Sequence, residues 1–300
     1  MKHRDVFLAP RLHLALLLSL LTLYACGGGS SDGRINLDIT DSPTDDASSV
    51  VVEFTGVRAQ PAGGGAVVGY DFPQPVQLDL AQLQGGVSAS LIQDLTLPGG
   101  HYQWLELEVS ATPGAHDSSL TLNNGGVHGL VLTAAGKAGL RTGSFDVQAN
   151  AGTSFIIDFD ARRSVLPPAG SSTDYRLQPA LRMLDERAAG NIVGSAPGSL
   201  AAAAGCVPVV YVYAGVVNRP EDLDTADPAS SQPVTEAPVQ LETDFGAYRF
   251  TAAYLPAGTY TLAFTCDAGQ DDPTKADHIT FSSIGSVVSE AGATTLTALH

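Results

Sequence analysis

Past roughly residue 30, no segment of this chain sustains the three-to-four-residue apolar spacing of a long amphipathic helix. Apolar residues instead come in short runs rich in Val, Ile, Thr, Tyr and Phe, broken by Gly, Pro, Asn and Asp. Such runs bury one face by alternation and need a partner sheet, so they fix the class as all-β. The runs expected to be strands are 35–39, 49–58, 67–72, 76–80, 102–110, 119–122, 129–133, 143–147, 154–159 and 175–184. A break at Arg187-Ala188-Ala189-Gly190 precedes a second series at 191–194, 207–215, 239–242, 248–253, 260–266, 278–282, 287–288 and 294–298. Turns such as Asn123-Asn124-Gly125-Gly126 use residues that tolerate positive φ. The Ala201–Ala204 run, flanked by glycine, reads as a loop. The expectation is two β-sandwich domains, residues 35–187 and 190–300.

The first 34 residues follow different rules. Lys2, Arg4 and Arg11 give a positive start, and an apolar run from Leu12 to Ala25 follows, too short to span a bilayer as a helix. It closes on Leu23-Tyr24-Ala25-Cys26, then Gly27-Gly28-Gly29-Ser30-Ser31. This ending resembles the bacterial lipobox, with Tyr24 departing from the small residue usual there. The resemblance implies a signal peptide over 1–25, a lipid such as palmitate on Cys26, and a flexible tether over 26–34. A signal peptide that ends by chance in Cys is the alternative. Gly27 after the acylated cysteine, with no Asp there, implies a lipid-anchored envelope protein of the outer membrane.

Charge narrows the partners. The net charge is −16, and removal of Lys2, Arg4, Asp5 and Arg11 would make the body more acidic still. That balance disfavours nucleic acid and anionic lipid surfaces as partners and suits a soluble body on a lipid anchor, or attraction to cations. With Cys26 lipidated, Cys206 and Cys266 remain, one before and one at the end of a strand-like run. A disulfide is the expectation for an exported chain. Two buried thiols, or a metal or redox pair, are the other readings.

Two resemblances rest on longer stretches. Leu97-Pro98-Gly99-Gly100-His101-Tyr102 is echoed by Leu255-Pro256-Ala257-Gly258-Thr259-Tyr260, the latter following Gly246-Ala247-Tyr248-Arg249-Phe250. This second stretch resembles prealbumin-like sandwiches such as the carboxypeptidase regulatory-like modules. In the first half, Asp38-Ile39-Thr40-Asp41-Ser42-Pro43, Leu78 to Gly86, Leu97 to Trp104, Ile157 to Val165 and Tyr175 to Arg182 resemble the family known as domain of unknown function 4382. The family supplies no activity to transfer to particular residues.

The chemistry-bearing residues point away from catalysis. The histidines His101, His116, His128 and His278 lack zinc-ligand spacing, and neither a G-x-S-x-G elbow nor a phosphate loop is present. Asp158 and Asp160 are expected on one strand face, with Arg162 and Arg163 as salt-bridge partners lowering both pKa values. Two carboxylates on one face also suit a glycosidase. Trp104 is expected in the core, with a bulge between Trp104 and Leu105 reconciling it with an inward Tyr102; a sugar-stacking outer face is the alternative.

Three acidic groups stand out: Asp41, Asp45 and Asp46; Glu221, Asp222, Asp224 and Asp227; and Asp267, Asp271, Asp272 and Asp277. Solvated surface is the default reading. Asp222, Asp224, Asp227, Asp271 and Asp272 are the candidate calcium ligands, since loop carboxylates are what calcium takes. The functional expectation is a non-catalytic binding or structural module of the envelope, with an envelope protein or glycan as partner. A calcium-dependent adhesin, a glycan-binding protein, and a glycan-active hydrolase with an interdomain site are the rivals.

Overall fold

The computed structural model describes residues 31–42, 47–227 and 231–300. Cys26, most of the tether and Asp45 and Asp46 lie outside the described residues. The described chain is all-β, arranged as four sheets in two sandwiches. In the first sandwich one sheet orders Arg182–Asp185, Gly152–Asp158, Asp32–Thr40 and Ala89–Pro98. The facing sheet is built around Ala47–Pro61 and Gly100–Ser110, with Val68–Asp79 extending it as a hairpin. In the second, Gln240–Glu242, Ala247–Pro256, Ala189–Ser195 and Thr294–Ala298 face Thr235–Pro238, Val209–Ala214, Gly258–Thr265 and Phe281–Ser289. No helix among the described residues is long and apolar enough to cross a membrane.

Alternation decides which side chains enter the first core. Ile35, Leu37 and Ile39 are fully buried from one strand, and Phe54 meets Phe159 edge-on with ring centroids 6.2 Å apart. Val209–Ala214 departs from alternation because both its faces are covered. Val210 and Val212 join the inter-sheet core, while Tyr211 and Tyr213 pack with Leu223, Ala263 and Ala268 beneath outer loops.

The two sandwiches share a connectivity. The first strand of each, Asp32–Thr40 or Ala189–Ser195, pairs antiparallel on one side and parallel on the other. Gly33 and Gly190 open these strands where a Cβ would lie 2.2 Å from Gln148 O and 2.1 Å from Glu290 O, so only glycine fits. The antiparallel neighbour in each carries a bulge with a residue at φ 54, Asp94 or Tyr254. Their N–H groups donate to Asn36 Oδ1 at 2.9 Å and Asn191 Oδ1 at 3.0 Å.

The sequence echo marks the same corner twice. Ala89–Pro98 hands over to Gly100–Ser110 in the facing sheet, and Ala247–Pro256 to Gly258–Thr265. Tyr102 Oη donates to Pro98 O and Tyr260 Oη to Pro256 O, each at 2.8 Å. Each is a tyrosine corner that closes the turn between sheets.

Several expected strands differ. Ala89–Pro98 was not expected, because the bulge at Asp94 breaks the alternation that would reveal it. The run 175–184 divides into Tyr175–Leu177 and Arg182–Asp185, in different sheets, with Pro179 between. Within the expected loop around Ala201, Gly198–Ala201 forms one helical turn. Cys206 and Cys266 form a disulfide with Cα atoms 4.5 Å apart, joining the lead-in of Val209–Ala214 to the end of its neighbour.

Candidate functional site at the junction of the two sandwiches

The junction is organised by the segment after Gly152–Asp158. Asp160 caps the single helical turn Ala161–Ser164, its Oδ1 accepting the Arg163 N–H at 3.0 Å, and Asp41 Oδ1 accepts the Ala161 N–H at 2.7 Å. The turn thereby sends two arginines toward the second sandwich. Arg162 Nη1 donates to Tyr211 Oη at 2.8 Å, and Nη2 lies 3.1 Å from Asp271 Oδ2. Tyr211 Oη in turn donates to Asp271 Oδ2 at 2.5 Å. Arg163 pairs with Asp160, donates to Pro233 O at 2.5 Å, and lies 3.7 Å from Glu236 Oε1. The Glu236 and Asp271 side chains have no solvent exposure. Ser42 Oγ and Thr235 Oγ1 also meet across the junction, 2.8 Å apart, and Tyr254 Oη donates to Gly86 O at 3.2 Å.

Burial dominates the electrostatics. It raises the Asp41 carboxyl well above the usual range, helped by repulsion from Asp158 and Asp160 and opposed by the Ala161 N–H. It raises Asp158 too, against the Arg182 guanidinium 2.7 Å away, and Asp271, against Arg162. Tyr211 and Tyr213 are pushed far up by burial, which keeps both phenols protonated as donors. Two expectations are corrected here. The strand ends at Asp158, so Asp160 is a helix cap rather than its neighbour on one face. Arg182 is the partner of Asp158, whose pKa is raised rather than lowered because desolvation outweighs the ion pair.

Beside this arginine clamp, formed by Arg162 and Arg163 with their partners in the second sandwich, lies a cleft of about 290 Å³ between the sandwiches. Leu120, Leu122 and Tyr175 line it from the first sandwich, Gln270, Asp271 and Asp272 from the second, and Arg162 contributes to it. A second, tiny cavity of about 20 Å³ is lined by Asp41, Asp158 and Glu236.

The acidic loops sort differently from their sequence grouping. Carboxylate oxygens of Asp222, Asp271 and Asp277 lie within 4.8 Å of one another. Asp224 instead accepts the Ala226 N–H at 2.8 Å within its own turn, and Asp272 accepts the Thr274 N–H at 3.0 Å. Asp227 offers its carbonyl to Gln232 at 3.3 Å. Asp277 was not among the five candidate ligands; only its membership of the third acidic group pointed to it. Trp104 is half-buried on the outer face beneath the Arg141 guanidinium, 4.0 Å from its ring centroid, and not in the core. The bulge falls at Gln103, since Trp104 pairs with Gln60 and Tyr102 with Pro61, so Tyr102 turns inward and Trp104 outward.

Residues 32–179 match the family described as Domain of unknown function (DUF4382). No curated protein matches the chain. Similar solved structures include the Bacillus anthracis TIE protein, at 12% identity over 89% of this chain and 33% of that one, with a TM-score of 0.19. The minor pilin GBS52 of Streptococcus agalactiae shares 10% identity over 88% of this chain and 93% of its own, with a TM-score of 0.20. The pilus backbone of Streptococcus pneumoniae shares 9% identity over 91% and 65%, with a TM-score of 0.21. This chain spans a third of the TIE protein, and 26% of a leucine-rich repeat protein from Bacteroides thetaiotaomicron.

Proposed function

We propose that the chain is a non-catalytic binding or structural module of the bacterial envelope, anchored in the outer membrane through a lipid on Cys26. The observation that carries the non-catalytic reading is the arginine clamp. Arg162, Arg163 and Arg182 engage buried carboxylates, a tyrosine and a carbonyl across and beside the junction. A general acid and base need access to a substrate. Asp158 and Asp160, the pair that suited a glycosidase, are each buried against an arginine. Arg162 and Arg163, through Tyr211, Asp271, Glu236 and Pro233, hold the two sandwiches together.

The anchor is tested in cells making the full chain. Wild type is expected to incorporate labelled palmitate and enter the detergent phase with the outer-membrane fraction. The Cys26→Ala variant is expected to do neither. Equal labelling of the two proteins overturns the anchor. Release of reducing ends from purified envelope glycan by the full chain overturns the non-catalytic reading. A second reading, a glycan-binding module, draws on the cleft, where Tyr175 faces the polar Gln270 and Asp272 across the junction.

A further inference from the structure

We infer that Asp222, Asp271 and Asp277 form a calcium site in the second sandwich, joined to the interdomain clamp through Asp271. This goes beyond the envelope-module reading and does not depend on the lipid anchor. Two independent observations carry it. The first is geometric: one carboxylate oxygen from each residue lies within 4.8 Å of the others, the spread that ligands at 2.3–2.6 Å from one calcium ion span. The second is an orphaned buried atom. The Asp271 side chain has no exposure, and its Oδ1 has no hydrogen-bond partner among the described residues. Its Oδ2 takes the Arg162 guanidinium, the Tyr211 O–H and the Leu223 N–H, which leaves Oδ1 as the oxygen available to a cation. A buried carboxylate oxygen without a donor is costly, and a cation supplies what the chain does not.

The surroundings fit a hard cation of calcium's size. All three protein ligands are carboxylates, and the second sandwich carries Arg219, Arg249 and Lys275 against twelve acidic residues. Lys275 is the local competitor, its Nζ 3.2 Å from Asp272 Oδ2 and 3.8 Å from Asp277 Oδ1. It is more than half exposed and can swing away when a divalent ion arrives. Ligands drawn from two separate loops favour the flexible shell of calcium over the strict octahedron of magnesium. Because Asp271 also holds Arg162 and Tyr211, an ion there fixes the residue on which the clamp closes.

The test uses the full chain in detergent, stripped with chelator, and calcium, magnesium and terbium ions as probes at matched ionic strength. Calorimetry is expected to give one calcium per chain, with magnesium at least tenfold weaker. Terbium bound there is expected to show emission sensitised by Tyr211 and Tyr213, which pack in the same outer core. Asp277→Asn is expected to weaken calcium at least tenfold without lowering the apo melting temperature. Asp272→Asn, in the same loop but outside the cluster, is expected to change affinity less than threefold. Absence of saturable calcium binding, equal effects of calcium and magnesium, or equal effects of the two variants would each overturn the site.

Discussion

Asp41 shows how one residue comes to matter in a way its neighbours in sequence do not. It sits in an acidic stretch that reads as solvated surface, yet it is buried and holds the first N–H of the turn that carries Arg162 and Arg163. Its pKa is raised, as are those of Asp158 and Asp271, so the folded state binds these protons more tightly than the unfolded chain does. Their contribution to stability is therefore full below the unfolded value of 3.8 and is lost as pH rises through the folded values. Asp117 and Asp185 are lowered, so theirs is present above 3.8 and lost as pH falls through their folded values. Stability in urea is expected to rise as pH is lowered from 7 and to peak near 3.8, where the raised groups reach their full contribution and the lowered ones begin to lose theirs. Asp41→Asn, which keeps an acceptor for the Ala161 N–H and removes the charge, is expected to be more stable at pH 7 and to flatten the profile. A melting midpoint for Asp41→Asn below wild type at pH 7 counts against this account. None of this was legible in the sequence, because burial of a carboxylate is decided by the second sandwich, 193 residues away at the Ser42–Thr235 contact.

The elements divide cleanly into what local pattern reveals and what it hides. Corners are local: Pro fixes φ, Gly supplies the turn, and Tyr sits four residues beyond the carbonyl it binds, so both turns were readable from two short stretches, while the tyrosine hydroxyl bonds that close them were not. Strands broken by a bulge are not local. Ala89–Pro98 was invisible because Asp94 at φ 54 shifts its alternation, and Asn36 in another strand holds that shift in place. Trp104 was misplaced for the same reason, the bulge lying at Gln103 rather than after the tryptophan. Tyr102→Phe and Tyr260→Phe each remove a phenol and leave a proline carbonyl without that donor. Each is expected to cost about 1–2 kcal/mol in urea unfolding, with the two roughly additive because the corners lie in different sandwiches. A cost near zero for both would mean that the corners are set by the backbone alone.

At the scale of the whole molecule, a repeated strand connectivity is joined by a charged rather than an apolar junction. The sequence gives the all-β class directly, because periodicity is a property of each run. It identifies Arg162 and Arg163 as ion-pair formers and Asp160 as a partner of Arg163, but not the targets of Arg162, since Tyr211 and Asp271 lie 49 and 109 residues further along. Buried ion pairs add little net stability over apolar packing, but removing one partner costs several kcal/mol. The central claim is that this clamp makes one cooperative body of the two sandwiches. The most direct measurement is urea unfolding of the full chain at pH 7, following Trp104, the sole tryptophan, for the first sandwich and hydrogen-exchange protection of Val209–Ala214 for the second. The account predicts coincident midpoints in wild type. For Arg162→Met it predicts two separate transitions, with the second sandwich destabilised by about 3 kcal/mol from the uncompensated Asp271. Separate midpoints in wild type, or coincident and unshifted ones in Arg162→Met, would contradict it.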